Sequence, residues 1–351
     1  MQWRGRRIGH DDRIGLKNTS IFAPIMILST NIIEAAALLR ANEVVAIPTE
    51  TVYGLAANAY SAEAVSKVYE VKERPKTNPL IVHIGSADQL GEIATSVSPN
   101  AQQLATHFWP GPLTLLLPKS ALITDQVTAH SPYVAVRVPN HPLTLALLQH
   151  LEFPLVAPSA NRYTSVSPTS AAHVAINLGD RIQFILDGGL CKKGLESTVV
   201  GFDIEDHPKI YRLGAITLEE LQGVIASTTL FDEAENAHSQ THSPGMAKKH
   251  YAPRTPLIVV DQLEHFLAEN LPLQTDPIGV LSFGHKVTAA KGATIYELSA
   301  HKNLEEASSR LYDGLYELDA KGLQFIVVEW FENQKLGRTL NDKLKRASTA
   351  L

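Results

Sequence analysis

Short β-branched runs alternate with stretches of helical spacing along most of this chain, and that alternation restricts the fold more than any other feature. Asn31–Ala41 (NIIEAAALLRA) carries its apolar residues on one helical face and predicts a helix. Glu43–Ile47 follows as a β-branched run stopped by Pro48, which predicts a buried strand. Ala62–Val71 returns to helical spacing and Pro79–Ile84 to strand. Further strand-like runs are Leu113–Leu117, Val134–Val138, Leu155–Ala157, Phe184–Leu186 and Ser197–Phe202. Such alternation predicts an α/β fold. Several runs follow one another too closely for helical crossovers, so the sheet should be mixed rather than parallel throughout.

The pattern breaks near residue 230. FDEAENAHSQTHSPGMAKKHYAP is polar, rich in His and Ser, and carries turn chemistry at Ser243-Pro244-Gly245. It divides a larger domain (25–230) from a smaller one (256–351) and serves as linker over 231–255. Beyond it Pro256–Val260, Ile278–Phe283, Thr294–Leu298 and Phe325–Trp330 read as strands. Leu304, Ala307, Leu311, Leu315 and Leu318 form a helical apolar stripe, completing a small α/β domain. Residues 1–24 are basic but contain Asp11 and Asp12 and no apolar core, so they are a poor signal peptide. They read as a loose extension, with Met26 a candidate start.

Composition narrows the function classes. A net charge of −5 argues against a protein that wraps nucleic-acid backbone, though it leaves room for a local basic cavity. A single cysteine, Cys191, excludes a disulfide framework or a Cys-rich zinc site and fits a reducing compartment, so the expectation is a cytoplasmic protein. No stretch approaches the roughly 20 apolar residues needed to span a bilayer. The sequence has no GxxxxGK[ST] loop, GxGxxG fingerprint, HExxH helix or GxSxG elbow. A nucleotide would have to be held by another route.

Four segments carry candidate chemistry. Pro48–Leu55 (PTETVYGL) places small hydroxyls after a buried strand, where open sheets bind ligands. The plainer reading is a strand-to-helix turn capped by threonine. Lys72–Leu80 (KERPKTNPL) gathers three cations, two prolines and one acid in a stiff segment. It suits phosphate or carboxylate recognition, unless the cations merely complement a helix C-terminus. Ala157–Asn161 (APSAN), with Ser165 and Ser167 behind it, again ends a strand in small polar groups. Leu195–Val200 (LESTVV) adds two hydroxyls. Arg137 and Arg212 stand in apolar surroundings, where each needs a partner, an internal carboxylate or a ligand. His83 lies within a strand, where histidine is more often structural, and Asp187-Gly188-Gly189 reads as a turn. The fourteen histidines show no metal-ligand spacing.

In order, PTETVYGL, KERPKTNPL followed by VH, WPGPLTLLL, VRVPNHP, APSAN and STVV resemble the YrdC-like threonylcarbamoyl-AMP synthases over residues 43–214. SPGMAKKHYAP and the C-terminal α/β unit resemble the longer, two-domain branch of that family. The resemblance implies a twisted mixed sheet of YrdC type with flanking helices and a positively charged cavity, plus a smaller α/β domain. It implies synthesis of threonylcarbamoyl-AMP and pyrophosphate from L-threonine, bicarbonate and ATP. A separate transfer complex would then carry the product to tRNA, and direct tRNA contact is left open. By the same resemblance Thr51, His83, Arg137, Ala157 (through its backbone) and Ser197 would hold threonine. Lys72, Arg74, Asn78, Tyr133, Ser159, Ser167, Arg212 and Tyr251 would hold ATP. Thr49 and Asn161 are motif members without an assigned role. Mg2+ is expected with ATP, without a dedicated protein ligand set. Arg212-Leu213-Gly214 departs from the family pattern, in which proline follows the arginine.

The chemistry so implied needs no protein nucleophile, because the threonine amine is itself the nucleophile. It needs anions held together and phosphate charge neutralised. A double-stranded-RNA-binding module is a rival, but no basic stripe interleaved with aromatics supports it. A hydrogenase-maturation carbamoyltransferase would carry Cys-rich zinc modules, which one cysteine forbids. A decayed regulatory protein would not keep so many polar motif residues. The linker, with Pro244 and Pro253 around Met246, Lys248, Lys249, His250 and Tyr251, is expected to fold over the cavity as a lid, the second domain anchoring its far end.

Overall fold

The computed structural model describes residues 26–232, 250–270, 277–284 and 292–349. The N-terminal extension and most of the linker, including Pro244, Met246, Lys248 and Lys249, lie outside the described residues. Among those described, no helix is long and apolar enough to cross a membrane.

The larger sheet is built from β1 (Ile27–Ser29), β2 (Val45–Ile47), β3 (Gly54–Asn58), β4 (Ile81–His83), β5 (Leu113–Pro118), β6 (Tyr133–Arg137), β7 (Leu155–Val156), β8 (Phe184–Leu186), β9 (Thr198–Phe202), β10 (Pro208–Arg212) and β11 (Thr229–Leu230). Their order is β1-β8-β2-β3-β7-β4-β6-β5-β9-β10-β11. Parallel pairs such as β4·β6 and β5·β9 sit beside antiparallel ones such as β2·β3, β3·β7 and β5·β6, so the sheet is mixed, as its crowded strands require. Helices α1 (Ile32–Arg40), α2 (Ala62–Lys72), α3 (Leu90–Ile93), α4 (Pro99–Phe108), α5 (Asp125–Thr128), α6 (Pro142–Gln149), α7 (Ala171–Leu178) and α8 (Leu218–Val224) connect them.

Local signals set these boundaries. Asn31 caps α1 by accepting from Ile33 N at 3.0 Å, Ser61 caps α2 by accepting from Ala64 N at 3.2 Å, and Thr217 with Glu220 forms a capping box on α8. Strand alternation then sorts side chains between two layers. Ala46, Leu55 and Ala57 pack in the core with α2 and α4, while Val45, Ile47 and Ala56 pack with α1 and α6. On β4 and β6, Val82, Val134 and Val136 join the first core. Ile81, His83 and Arg137 face a cavity on the other side.

One expectation changes here. Pro48–Leu55 is not a strand-to-helix turn: the chain reverses and returns as β3, antiparallel to β2 with Ile47 opposite Gly54. Thr49 closes the reversal, its Oγ1 donating to the Val52 carbonyl at 2.6 Å and accepting from Val52 N at 3.2 Å. A short hydroxyl bonded to nearby backbone stabilises a turn as readily as a helix cap.

The second sheet is all parallel: β12 (Leu257–Val260), β13 (Gly279–Phe283), β14 (Thr294–Ser299) and β15 (Ile326–Glu329), in the order β12-β15-β13-β14. Helices α9 (Leu263–Asn270), α10 (Leu304–Asp319) and α11 (Lys335–Ala347) complete the C-terminal domain. Val52, Val166, Leu195 and Tyr251 share one buried cluster with Leu311, Tyr312, Leu340 and Leu344, so the two domains meet through a common apolar core. Polar bonds cross as well: the Tyr316 hydroxyl donates to the Val166 carbonyl at 2.7 Å.

Candidate active site

The cavity lies where the β2–β3 turn, the ends of β4 and β6, the APSAN loop and the start of β9 converge. Thr49, Thr51, His83, Arg137, Ala157, Ser159, Ser197 and Arg212 all line it, together with Arg74 from the segment after α2. Backbone bonds hold the motifs in register. Ala157 N donates to Ile81 O at 3.0 Å, Leu55 N to Pro158 O at 2.7 Å and Ala160 N to Tyr53 O at 2.8 Å. Gly54 permits the close approach, since a Cβ there would come within 3.1 Å of the Ala157 Cβ.

Three arginines give the cavity its positive character, and each is fixed by backbone or side-chain partners. Arg137 Nη2 lies 2.7 Å from Glu50 Oε1, and its Nε donates to Gly111 O at 3.2 Å. Arg212 donates to the Ser197 carbonyl at 2.7 Å and to the Ser197 hydroxyl at 2.9 Å, and Ser197 Oγ is also 2.7 Å from Thr114 Oγ1. Arg74 donates to Asn78 O at 3.2 Å and to Pro79 O at 2.9 Å. Burial pulls Arg74 down to about 10, with Arg212 adding to that and Tyr69 and Tyr163 opposing it. At neutral pH it stays charged.

His83 is buried, and burial with the Arg137 charge lowers its pKa to about 3, so the ring is neutral. Its Nδ1 sits 3.3 Å from Ile81 O. A neutral ring beside a guanidinium offers hydrogen bonding without a second positive charge.

Several expected residues stand behind the cavity wall rather than in it. Lys72 is the last residue of α2, not a free cation beyond it, and is only 1% exposed. Its ammonium donates to Ser159 O and, at 2.6 Å, to Asn161 O, so it tethers the APSAN loop from beneath. Burial, with Arg74 nearby, lowers its pKa strongly. Asn78 accepts from Arg74 and from the Tyr69 hydroxyl through its carbonyl. Ser167 donates to Glu196 Oε1 at 2.7 Å, and Asn161 Nδ2 staples the carbonyls of Arg162 and Ser165 at 2.8 Å each.

Tyr133 is placed elsewhere. It opens β6 while Arg137 closes it, is 38% exposed, and lines a separate depression with Ser98 and Asp203. Strand alternation gives the two residues the same face, but four residues of strand separate them by about 13 Å.

The described end of the linker reaches in. His250 and Tyr251 line the cavity, Ala252 N donates to Thr164 O at 2.9 Å, and His250 N donates to Arg346 O at 3.1 Å. Tyr251 is 1% exposed, adopts φ 64°, and stacks on Tyr312 at 5.7 Å with Lys343 Nζ 5.1 Å from its ring centroid. Burial, with Arg74 and Lys72 nearby, holds the His250 pKa well below its usual value.

Sequence reasoning missed Glu196 as a wall residue and named His250 only as part of the lid segment. Glu196 is the one carboxylate among the described lining residues, and its signal was an acid inside a hydroxyl motif. Its Oε2 accepts from the Tyr312 hydroxyl at 2.9 Å, a partner no local pattern reveals. The assembled site can hold several anionic groups close together. Among its described lining residues, no serine or threonine is hydrogen-bonded to a histidine, as a nucleophile–base pair requires.

A family model for Sua5, YciO and YrdC proteins, described as telomere recombination, matches residues 37–214. A second, described as the C-terminal domain of threonylcarbamoyl-AMP synthase, matches 216–349. The threonylcarbamoyl-AMP synthase of Bacillus subtilis strain 168 is 40% identical, covering 92% of this chain and 94% of the relative. That of Pyrococcus abyssi is 38% identical over 90% of this chain and 93% of its own. The crystal structure of P. abyssi Sua5 complexed with L-threonine superposes with a TM-score of 0.84 at 36% identity, covering 92% of this chain and 97% of that one.

Proposed function

Because the chain belongs to the two-domain threonylcarbamoyl-AMP synthase family, we propose that its cavity makes threonylcarbamoyl-AMP and pyrophosphate from L-threonine, bicarbonate and ATP. The product serves formation of N6-threonylcarbamoyladenosine in tRNA. The observation that carries this reading is the convergence of Arg74, Arg137 and Arg212 with the hydroxyls of Thr51, Ser159 and Ser197 on one cavity. The threonine amine bonds to the bicarbonate carbon and water leaves, giving a carbamate. A carbamate oxygen then attacks the α-phosphorus, and the bond to the leaving pyrophosphate breaks. This is nucleotidyl transfer, and the protein's part is to position the reactants and neutralise charge.

Thr51, His83, Arg137, Ala157 and Ser197 surround the threonine end in this reading, and Arg74, Ser159, Arg212 and Tyr251 the nucleotide end. Lys72, Asn78 and Ser167 act from behind, through Ser159, Arg74 and Glu196. ATP enters as its magnesium complex. The described residues fit an ion carried on the phosphates. Glu196 has both oxygens engaged by hydroxyls, and Asp203, Glu205 and His207, which could share an ion, do not line the cavity. The product passes to a separate transfer complex.

Pyrophosphate release measured with each of the twenty amino acids, with and without bicarbonate, tests the reading. Release should require threonine and bicarbonate together, and serine should be roughly fivefold poorer for lack of one methyl contact. Release independent of amino acid would overturn the assignment.

A further inference from the structure

We infer that Tyr312 and Lys343 of the C-terminal domain are positioning residues for adenylate formation in the N-terminal cavity, an inference that rests on the function proposed above. The second domain is then part of the cavity's construction as well as an anchor for the linker.

Tyr312 lies on the face of α10 turned toward the first domain and is fully buried. Its hydroxyl donates to Glu196 Oε2 at 2.9 Å while Ser167 donates to Oε1 at 2.7 Å, so the carboxylate is gripped from two sides. Glu196 also holds backbone: its carbonyl accepts from Ala215 N at 2.9 Å. The next residue, Ser197, takes the Arg212 guanidinium on its carbonyl and hydroxyl. Glu196 is thus held at both its side chain and its backbone, next to the residue that carries Arg212.

Lys343, on α11, works on the other strand of the same wall. Its ammonium donates to Leu213 O at 2.8 Å, and Thr339 Oγ1 donates to Gly214 O at 3.1 Å. Gly214 is pressed against β9 so closely that a Cβ would come within 2.4 Å of Thr198 N. The residues following Arg212 are thus clamped between α11 and β9. The same ammonium sits 5.1 Å from the Tyr251 ring centroid, and the Tyr312 ring stacks on the Tyr251 ring at 5.7 Å.

Packing alone does not account for these groups. Tyr312 packs in one apolar cluster with Leu311, Leu340 and Leu344, and Lys343 is 1% exposed, so phenylalanine and an aliphatic side chain would fill the space without desolvating a hydroxyl and an ammonium. The Tyr312 hydroxyl is spent on Glu196 of the cavity wall, and the Lys343 ammonium is shared between Asp342 Oδ2 at 3.1 Å and the carbonyl of Leu213, the residue after Arg212.

The test uses the full chain, with pyrophosphate release measured against ATP and threonine separately and melting followed in parallel. Tyr312→Phe and Lys343→Met should each lower kcat/KM for ATP about tenfold, the scale of one hydrogen bond to a charged or backbone group, with melting lowered by only a few degrees. Tyr312→Phe should add nothing in a Glu196→Ala background, since alanine already removes the acceptor of the Tyr312 hydroxyl. Wild-type kinetics in both single variants, or full additivity in the double variant, would overturn the inference. Absence of threonine-dependent release from the wild-type chain would instead overturn the function.

Discussion

Arg137 Nη2 and Glu50 Oε1 lie 2.7 Å apart, with side chains 5% and 6% exposed, beside the substrate cavity. The pair has further support, since Glu50 Oε2 accepts from Asn140 N at 2.9 Å and Arg137 Nε reaches Gly111 O. Two charges at this depth are tolerated because each neutralises the other. The cavity thereby gains an arginine whose position is set before any substrate arrives. Glu50→Ala leaves that guanidinium buried without its counter-charge and should cost about 3–5 kcal/mol. Glu50→Gln, which keeps the bond to Asn140, should cost less. Urea denaturation of both variants checks this, and a cost below about 1 kcal/mol for alanine would show the pair to be dispensable.

Lys72 and Arg74 are two residues apart but should fail in different ways. Arg74 lines the cavity, so Arg74→Ala should lower kcat/KM for ATP by about 100-fold, the scale of a lost transition-state donor, and leave threonine affinity nearly unchanged. Lys72 holds the loop that carries both Ala157 and Ser159. Lys72→Met should therefore weaken threonine and ATP together and lower the melting temperature. Calorimetric titration with threonine alone separates the cases. Unchanged threonine binding in Lys72→Met would show that the loop keeps its shape without the tether.

The contrast shows what a sequence can and cannot display. The order of polar motifs at strand ends was legible because strands and helices leave local periodicities, and the cavity residues sit where those periodicities stop. Tether and wall residue were not distinguishable, because Lys72 points by way of its last helical turn to carbonyls some 90 positions away. β3 escaped notice for a different reason: GLAAN has four of its five residues buried, so it lacks the alternation that marks a half-exposed strand. In α11 the buried stripe is Gly337, Thr339, Leu340, Lys343, Leu344 and Ala347. Its period is helical, but threonine and lysine within it hide the apolar face. The Tyr312–Glu196 bond joins residues 116 apart and belongs to the docking of two domains, which no local pattern encodes.

The neutral His83 gives a pH dependence with a definite sign. Its folded pKa, about 3, lies below the value near 6.5 of an unfolded histidine. Between those values the unfolded chain binds a proton that the folded one refuses, so this contribution to stability is complete above about pH 6.5 and is lost as pH falls toward 3. His250 and His173 are lowered in the same direction, chiefly by burial, and should steepen the loss. Melting temperature should therefore fall from pH 7 to pH 5, and His83→Asn should flatten that slope. An identical slope in the variant would mean that His83 titrates normally in the folded protein.

Tyr251 is the sharpest test of how the linker joins the site. A non-glycine residue at φ 64° is strained by roughly 1 kcal/mol, and the structure holds it there by bonds on both flanks, from His250 N to Arg346 O and from Ala252 N to Thr164 O. The strain carries the ring between Tyr312 and Lys343 and brings Tyr251 into the cavity wall beside Arg74 and Arg212. Two roles can be separated by substitution. Tyr251→Phe keeps the ring, its stacking and its contact with Lys343, and removes only the hydroxyl. Tyr251→Asn tolerates the backbone conformation but removes the ring as well. If the hydroxyl meets the nucleotide phosphates, Tyr251→Phe should lower kcat/KM for ATP roughly tenfold with unchanged melting, one hydrogen bond to a charged group being lost. Tyr251→Asn should lose at least another tenfold and also melt earlier, because about 1.5–3 kcal/mol of buried aromatic surface goes with it. Wild-type kinetics in Tyr251→Phe combined with a large loss in Tyr251→Asn would assign the residue to packing alone, with the nucleotide contacts made by Arg74 and Arg212.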